Sequence, residues 1–276
     1  MTHWQNPSLL DRLDPLRATH PSPAGGRNRC LHLTPTGKVA MAGEQPHVTE
    51  LADEDLAVGA ILLGRVGEDH WWVLTDADRG VDPRHRDVAP ELCQLLFAGL
   101  ALVQWHEEHP SCPRCGQATV PERLGASRRC HFCGTQVFPR TDPAVIVAVT
   151  DEDDRLLLTH APSWPEARVS VQAGFVEAGE SAEQAVHREL LEETGLHVSA
   201  VTYVASQPWP FPRSLMLGFT AVADAHDLAL DRRELDWGAF HTREEVRRAL
   251  ERGELSLPGP MSLAHQLIQG WLGSAG

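Results

Sequence analysis

Residues 174–196 constrain the fold of this chain more than any other stretch of its sequence. They read GFVEAGESAEQAVHRELLEETGL. Ser181 followed three residues later by Gln184 is the pattern of a capping box, and Gly195 suits the left-handed position that ends a helix. The sequence therefore predicts a helix of about 13 residues that lies between two loops.

Three glutamates share one face of this predicted helix, because Glu189, Glu192 and Glu193 stand at positions i, i+3 and i+4. Like charges this close repel one another unless cations lie among them, and oxygen ligands of this kind suit Mg²⁺ or Mn²⁺. Such ions can bridge a diphosphate and neutralise charge as a P–O bond breaks. Arg188 can orient Glu180 by a bidentate contact. The alternative is a solvated acidic helix face, which leaves the arginine and the framing glycines unexplained.

Four of the six cysteines form two Cys-x-x-Cys pairs, each followed by a glycine. They are Cys112, Cys115, Cys130 and Cys133. The pattern predicts two facing knuckles of a zinc ribbon, and four thiolates close the site to water, so the zinc is expected to be structural. Two disulfides or four free thiols are the alternative. His106 and His109 precede the first pair at three-residue steps and are alternative ligands, but the four cysteines already complete the site, so both histidines are expected to be solvated at a helix end.

The charge and hydropathy of the chain exclude several classes of protein. A formal charge of −14 argues against a general nucleic-acid binder, although a local basic groove with Arg123, Arg128 and Arg129 would change that expectation. No apolar run approaches the ~20 residues needed to span a bilayer, and the first residues lack the pattern of a secretory signal. We therefore expect a cytoplasmic protein without membrane contact.

Hydrophobic spacing outlines the remaining elements. It predicts a small sheet from segments 56–63 and 71–74, and then a helix within 87–108. A hairpin is expected from 144–149 and 155–159, followed by strands near 198–204 and 215–222. Thr242 is expected to cap a helix that extends to residue 250.

A second motif, SQPWPFPRS at residues 206–214, follows the glutamate-rich helix. Its three prolines fix their own φ angles and hold the preceding residues extended, so Trp209 and Phe211 are expected to be presented rigidly to a flat ring. Gln207, Ser206 and Ser214 can offer hydrogen bonds. The alternatives are an edge segment whose aromatics fill the core and a polyproline ligand for another protein.

Both motifs resemble those of a known family. Residues 174–196 match the Nudix box G-x5-E-x7-R-E-U-x-E-E-x-G-U at every defining position, and residues 206–214 match the S-Q-P-W-P-F-P-x-S motif of NADH pyrophosphatases, a family that includes hydrolases of NAD-capped RNA. The resemblance implies an α+β chain in which a Nudix fold, a mixed sheet between helices, follows a zinc ribbon and a small α/β N-terminal domain. The expected boundaries are 1–109, 110–139 and 140–276.

The resemblance also implies roles for individual residues. The carbonyl of Ala173 and the carboxylates of Glu189, Glu193 and Glu234 resemble ligands of catalytic Mg²⁺ or Mn²⁺, and Glu192 resembles a further ligand or a water activator. Whether Glu192 or Glu193 takes the proton from water stays open. The residues that resemble substrate contacts are Phe138, Phe175, Gln207, Pro208, Trp209, Pro210, Phe211, Pro212, Arg213, Ser214 and Ala264.

The expected reaction is hydrolysis of NADH or NAD to nicotinamide mononucleotide and AMP, or removal of the nicotinamide nucleotide from an RNA 5′ end. Phe138 stands where the family often has tyrosine, so a ring can still stack there but a hydroxyl contact is lost. The family resemblance also implies a homodimer. One rival is a Nudix hydrolase of another nucleotide such as ADP-ribose. Another is a zinc-ribbon binding protein that reads a nucleotide without cutting it, whose usual sign, eroded box glutamates, is lacking in this sequence.

Overall fold

A computed structural model describes most of the chain. The described residues are 3–12, 17, 26–53, 56, 59–86 and 88–274. Within them the chain forms two compact units. The first, which we call the box unit, contains residues 3–5, 142–208 and 214–274, and the second, the N-terminal unit, contains residues 6–141 and 209–213. The finer division at residues 109 and 139 stays a prediction.

The N-terminal unit is built around a four-stranded sheet in the order β4-β1-β6-β5. The strands of this sheet are β1 Asn28–His32, β4 Val48–Leu51, β5 Ile61–Val66 and β6 Asp69–Leu74. A separate two-stranded ribbon consists of β2 Met41–Ala42 and β3 Gln45–Pro46. Helix α1, Pro90–Glu108, packs against β5 and β6, and its side chains are buried over most of its length. The predicted small sheet and the following helix are thus both present.

The cysteine pairs are carried by a separate three-stranded sheet of the same unit. Its strands, in the order β7-β8-β9, are β7 Thr119–Glu122, β8 Ser127–Cys130 and β9 Gln136–Val137. Gly116 and Gly134 have φ angles of +73° and +74°, so each knuckle turns through a left-handed glycine as the sequence predicted.

The box unit contains a six-stranded mixed sheet in the order β13-β14-β10-β11-β15, with β12 paired to β10. Its strands are β10 Asp142–Thr150, β11 Leu156–His160, β12 Gln172–Phe175, β13 Val198–Trp209, β14 Ser214–Ala223 and β15 Trp237–His241. The β10–β14 pair is parallel, whereas β11 and β12 each run antiparallel to β10. The predicted hairpin and both later strands are confirmed.

Helices cover both faces of this sheet. They are α2 Ala182–Thr194, α3 Arg243–Glu251 and α4 Leu263–Gly273. Val145, Val147 and Val149 of β10 pack with buried residues of α2, while Ile146 and Ala148 pack with those of α3 and α4. Because alternate residues of a strand face opposite sides, a strand buried on both faces reads as a continuous apolar run, as residues 144–149 do.

Both predicted caps in this unit are present. Ser181 and Gln184 form a capping box at the start of α2, which ends at Gly195 with φ +74°. Thr242 and Glu245 form a second capping box at the start of α3. Among the described residues, no helix has both the length and the apolar character needed to cross a membrane.

Candidate active site

A cavity of about 520 Å³ opens in the box unit where β12 meets α2. It is lined by Ala144, Ala173, Gly174, Phe175, Glu177, Arg188, Glu189, Glu192, Glu193, Ser214, Met216 and Glu234. The sequence-predicted metal ligands all contribute to this lining, and Ser214 of the proline motif joins them. The fold therefore gathers acidic residues from one helix, from the loop after β12 and from one distant loop around a single space.

Gly174 leaves space for the carboxylate of Glu189 beside β12. Strand β12 pairs with β10 so that Gly174 lies opposite Val145. A Cβ atom at Gly174 would collide with the carboxyl group of Glu189, so only glycine leaves room for that carboxylate beside the strand.

Arg188 forms hydrogen bonds with three glutamates at this site. Its Nε and Nη2 donate to the two oxygens of Glu180, both at 2.9 Å, which is the expected bidentate contact. Its Nη1 donates to Glu189 at 2.9 Å and to Glu192 at 3.1 Å, and its Nη2 also donates to the carbonyl of Phe175 at 2.8 Å. The hydrogen bonds from Arg188 hold the pKa of Glu180 below its usual range. The arginine thus fastens the loop before α2 to the helix.

Glu193 lies in a different electrostatic environment. Burial first, and then the charge of Glu189 and the hydrogen bond and charge of Glu234, raise the pKa of Glu193 to about 8. Burial also raises the pKa of Glu189, although Arg188 opposes this shift. The amide Nε2 of Gln172 donates to Oε2 of Glu193 at 2.5 Å. Without a cation, folding therefore disfavours the ionised form of Glu193.

The loop that carries Glu234 is attached to the end of α2 through its backbone. The N–H groups of Ala229 and Asp231 donate to the carbonyls of Thr194 and Glu193, both at 2.9 Å. Leu235 is 5% exposed and anchors the loop in the core. Glu234 is exposed and lines the cavity, so a residue 41 positions beyond Glu193 reaches the same space.

The donor set fits a divalent cation of the magnesium or manganese type. Glu189, Glu193, Glu234 and the backbone at Ala173 offer oxygen atoms only, which these ions prefer. Burial, and then the charges of Glu189 and Glu234, raise the pKa of Glu193, and a cation between these carboxylates would remove the part that is due to repulsion.

The four paired cysteines form a compact cluster. Their sulfur atoms lie within 4.8 Å of one another, and the Sγ distances from Cys112 to Cys133 and from Cys115 to Cys130 are 3.6 and 3.5 Å. These separations are too long for disulfide bonds and suit four ligands around one ion. Hydrogen bonds with Thr135, through its side chain and its backbone, lower the pKa of Cys133 to about 6, which favours the thiolate that a metal needs.

One expectation near this cluster is wrong. His106 is partly buried rather than solvated: its Nε2 donates to the carbonyl of Gly125, and its Nδ1 accepts from Nη1 of Arg128, both at 2.8 Å. Arg128 is 8% exposed and binds Thr119, and Arg129 forms an ion pair with Glu122. Arg128 is therefore not available for the basic groove that the sequence left open, whereas the Arg129 side chain stays 38% exposed beside Glu122.

Gln207 has a structural role in the described chain. It is 1% exposed, its Nε2 donates to the carbonyl of Met261 at 2.5 Å, and its Oε1 accepts from the N–H of Leu263 at 2.7 Å. Its amide is therefore fully used in fixing the start of α4. Ala264 is 5% exposed and lies in the core beside this contact, so its side chain does not line the cavity.

The aromatic part of the proline motif belongs to the N-terminal unit. Trp209 and Phe211 touch each other edge to face, with ring centroids 5.0 Å apart, and both contact the buried ring of Phe97. Arg213 donates to Glu108 at 2.8 Å, and Gln104 donates to the carbonyl of Pro210 at 3.1 Å. The partly buried rings favour the alternative in which the aromatics fill the core, although Phe211 and Pro212 also line a cavity of about 460 Å³ in this unit.

Phe138 and Phe175 are the exposed aromatics of the predicted set. Their relative exposures are 54% and 57%, and Phe175 lines the acidic cavity. Neither ring is packed into the core. Pro208 is also exposed.

The fold and the glutamate cavity define a Nudix hydrolase, and a family described as the NUDIX domain matches residues 140–258. More narrowly, the chain belongs to the NAD-capped RNA hydrolase family of Nudix hydrolases. It is 39% identical to the NAD-capped RNA hydrolase NudC of Mycobacterium bovis (strain BCG / Pasteur 1173P2), over 95% of this chain and 92% of that protein.

Two further relatives have related names. The chain is 38% identical to the NAD-capped RNA hydrolase NudC of Mycobacterium tuberculosis (strain ATCC 25177 / H37Ra), with the same coverage of 95% and 92%. It is also 37% identical to the human NAD-capped RNA hydrolase NUDT12, over 62% of this chain and 40% of that protein.

Proposed function

We propose that this protein hydrolyses the diphosphate bond of NADH or NAD, giving nicotinamide mononucleotide and AMP, and that it also removes NAD caps from RNA 5′ ends. The observation that carries the proposal is the cavity in which Glu189, Glu193 and Glu234 meet next to Arg188 and Ser214. The names of the relatives support the choice of substrate.

The side chains divide the chemistry among them. Glu189, Glu193, Glu234 and the carbonyl of Ala173 would hold Mg²⁺ or Mn²⁺, which supplies charge neutralisation for the diphosphate and a lowered pKa for water. Arg188 holds the carboxylates of Glu180, Glu189 and Glu192 in position through its hydrogen bonds. Either Glu192 or Glu193 accepts the proton of the attacking water, and the exposed ring of Phe175 offers a face to nicotinamide.

Other features of the proposal rest on family resemblance and on general chemistry. The four cysteines hold a structural zinc ion, and Phe138 and the proline motif contribute to substrate binding. We propose a cytoplasmic homodimer. The paired state of Arg128 and Arg129 favours the small dinucleotide over a long RNA contact on that surface.

Product analysis with four substrates tests the proposal. Purified protein with Mn²⁺ or Mg²⁺ is incubated with NADH, NAD, ADP-ribose and a short NAD-capped RNA, and the products are separated by chromatography. Release of nicotinamide mononucleotide from NADH or the capped RNA at a higher kcat/KM than ADP-ribose turnover is expected. Faster turnover of ADP-ribose would favour the rival hydrolase, and binding without any turnover would favour the nucleotide-reading protein.

Glutamine variants separate the roles of the two adjacent glutamates. We expect Glu193→Gln to lower kcat by at least about a hundredfold with the fold intact. A ligand variant loses Mn²⁺ affinity together with turnover, whereas a base variant loses turnover alone, so parallel Mn²⁺ titrations of Glu192→Gln and Glu193→Gln assign the base. Near-normal turnover of Glu193→Gln would contradict both roles for that residue.

A further inference from the structure

A buried row of three polar side chains leads from the interior of the sheet to the acidic cavity. Thr159 of β11 is 2% exposed, Gln172 of β12 is 4% exposed, and Glu193 of α2 lines the cavity. The Thr159 Oγ1 and Gln172 Oε1 atoms are 2.5 Å apart, as are Gln172 Nε2 and Glu193 Oε2. Three separate elements thus meet in one continuous hydrogen-bonded chain.

The direction of the two hydrogen bonds follows from the chemistry of the groups. An amide oxygen only accepts, so the hydroxyl of Thr159 must donate to Gln172. That bond turns the other end of the amide, the NH₂ group, toward Glu193, where an ionised carboxylate can only accept. Thr159 therefore sets the orientation of Gln172, and Gln172 in turn fixes one oxygen of Glu193.

Packing alone does not explain a glutamine at this position. Gln172 pairs with Val147 in the sheet, and Val147 is 2% exposed in the core that faces α2, so an apolar side chain at 172 would extend that core. A buried amide lowers stability unless both its ends are bonded, and here one end is bonded to a carboxylate of the cavity. Gln172 therefore contributes a hydrogen bond that fixes Glu193 rather than additional apolar burial.

We propose that Gln172, oriented by Thr159, is a positioning residue that holds the Glu193 carboxylate in the rotation required for cation binding. This inference rests on the proposed role of Glu193 as a metal ligand. Residues that hydrogen-bond to metal ligands without touching the metal contribute about 10–100-fold to metal affinity or activity, which sets the size of the expected effect.

The test measures Mn²⁺ affinity directly, by the electron paramagnetic resonance signal of free Mn²⁺, alongside kcat and KM for NADH. Gln172→Met keeps the volume but removes the donor, and we expect it to weaken Mn²⁺ binding and to lower kcat by about tenfold or more, with a smaller change in KM. Thr159→Val should produce a weaker loss of the same kind, while Thr159→Ser, which keeps the hydroxyl, should restore the wild-type values.

A matched control separates the effect of lower stability from the effect of the lost hydrogen bonds. Val246 on α3 is 0% exposed, so Val246→Ala weakens the core without altering the polar row, and its Mn²⁺ affinity and kcat should stay at the wild-type level. Unchanged Mn²⁺ affinity and kcat in Gln172→Met would overturn the inference, as would equal losses in Thr159→Ser and Thr159→Val. If the wild-type protein binds Mn²⁺ with this dependence on residue 172 but hydrolyses none of the dinucleotides, the proposed function fails and the positioning role stands.

Discussion

Replacement of Glu193 by glutamine should stabilise the protein in the absence of divalent cations. The pKa of Glu193 is about 8 in the folded chain, compared with an ordinary value of 4.5. The folded state therefore binds a proton more tightly than the unfolded state, so this residue's contribution to stability is complete below pH 4.5 and is lost as the pH rises through 8. Above that pH, ionisation of Glu193 opposes folding.

The size of the effect follows from the two pKa values. At about 1.4 kcal/mol per pKa unit, the difference corresponds to an upper limit of about 5 kcal/mol. The side chain is partly exposed, and solvent screening reduces this figure to about 2 kcal/mol. Glutamine carries no charge and can still accept from Gln172, so Glu193→Gln should raise the melting temperature at pH 8.5 by roughly 4–8 °C and leave it unchanged near pH 5.

Thermal unfolding of the full chain in metal-free buffer, followed by circular dichroism at both pH values, measures this difference. Addition of Mn²⁺ at about 100 times its dissociation constant should stabilise the wild-type protein by about 2.7 kcal/mol and the variant far less, so the order of stability reverses. Glu192→Gln is the matched control, because Glu192 is mostly exposed and paired with Arg188. A Glu193→Gln protein no more stable than wild type at pH 8.5 would refute the reasoning from burial and repulsion.

Three other substitutions test separate parts of the site. Gly174→Ala should displace the Glu189 carboxylate and lower kcat by about a hundredfold while the far-ultraviolet circular dichroism spectrum is retained. Normal turnover would show that the backbone at residue 174 can shift to accept a methyl group without moving Glu189. Arg188→Lys keeps the charge but loses the bidentate contact with Glu180, so kcat should fall at least about tenfold. A steady-state assay that finds no change would argue against the role of Arg188 in positioning the glutamates. Cys133→Ser should release zinc, measured by atomic absorption, and lower the melting temperature of the N-terminal unit, whereas full zinc content would exclude its ligand role.

Local sequence signals predicted those parts of the site that depend on residues close together in the chain. The capping box at Ser181, the left-handed Gly195 and the knuckle glycines each act within a few positions, and all of these features are present. The contact between Arg188 and Glu180 was predictable as well, because the box spacing brings them together across a single turn and loop.

Contacts between distant positions were not predictable in this way. Gln172 is 13 residues from Thr159 and 21 from Glu193, so no periodic pattern in the sequence links them. The aromatic residues of the proline motif show the same limit. Proline fixes the local backbone, but burial of Trp209 and Phe211 against Phe97 depends on a helix more than a hundred residues earlier.

The structure also changes the argument about why the acidic residues can coexist. The sequence suggested that the helix face is tolerable only with cations, yet Arg188 already forms ion pairs with Glu180, Glu189 and Glu192 and offsets part of their charge. Glu193 has no comparable partner, since its described donor is the neutral amide of Gln172 and its neighbours include Glu234. The need for a cation is therefore concentrated where Glu193 and Glu234 meet, because among the described residues neither carboxylate has an ion pair like those that Arg188 forms.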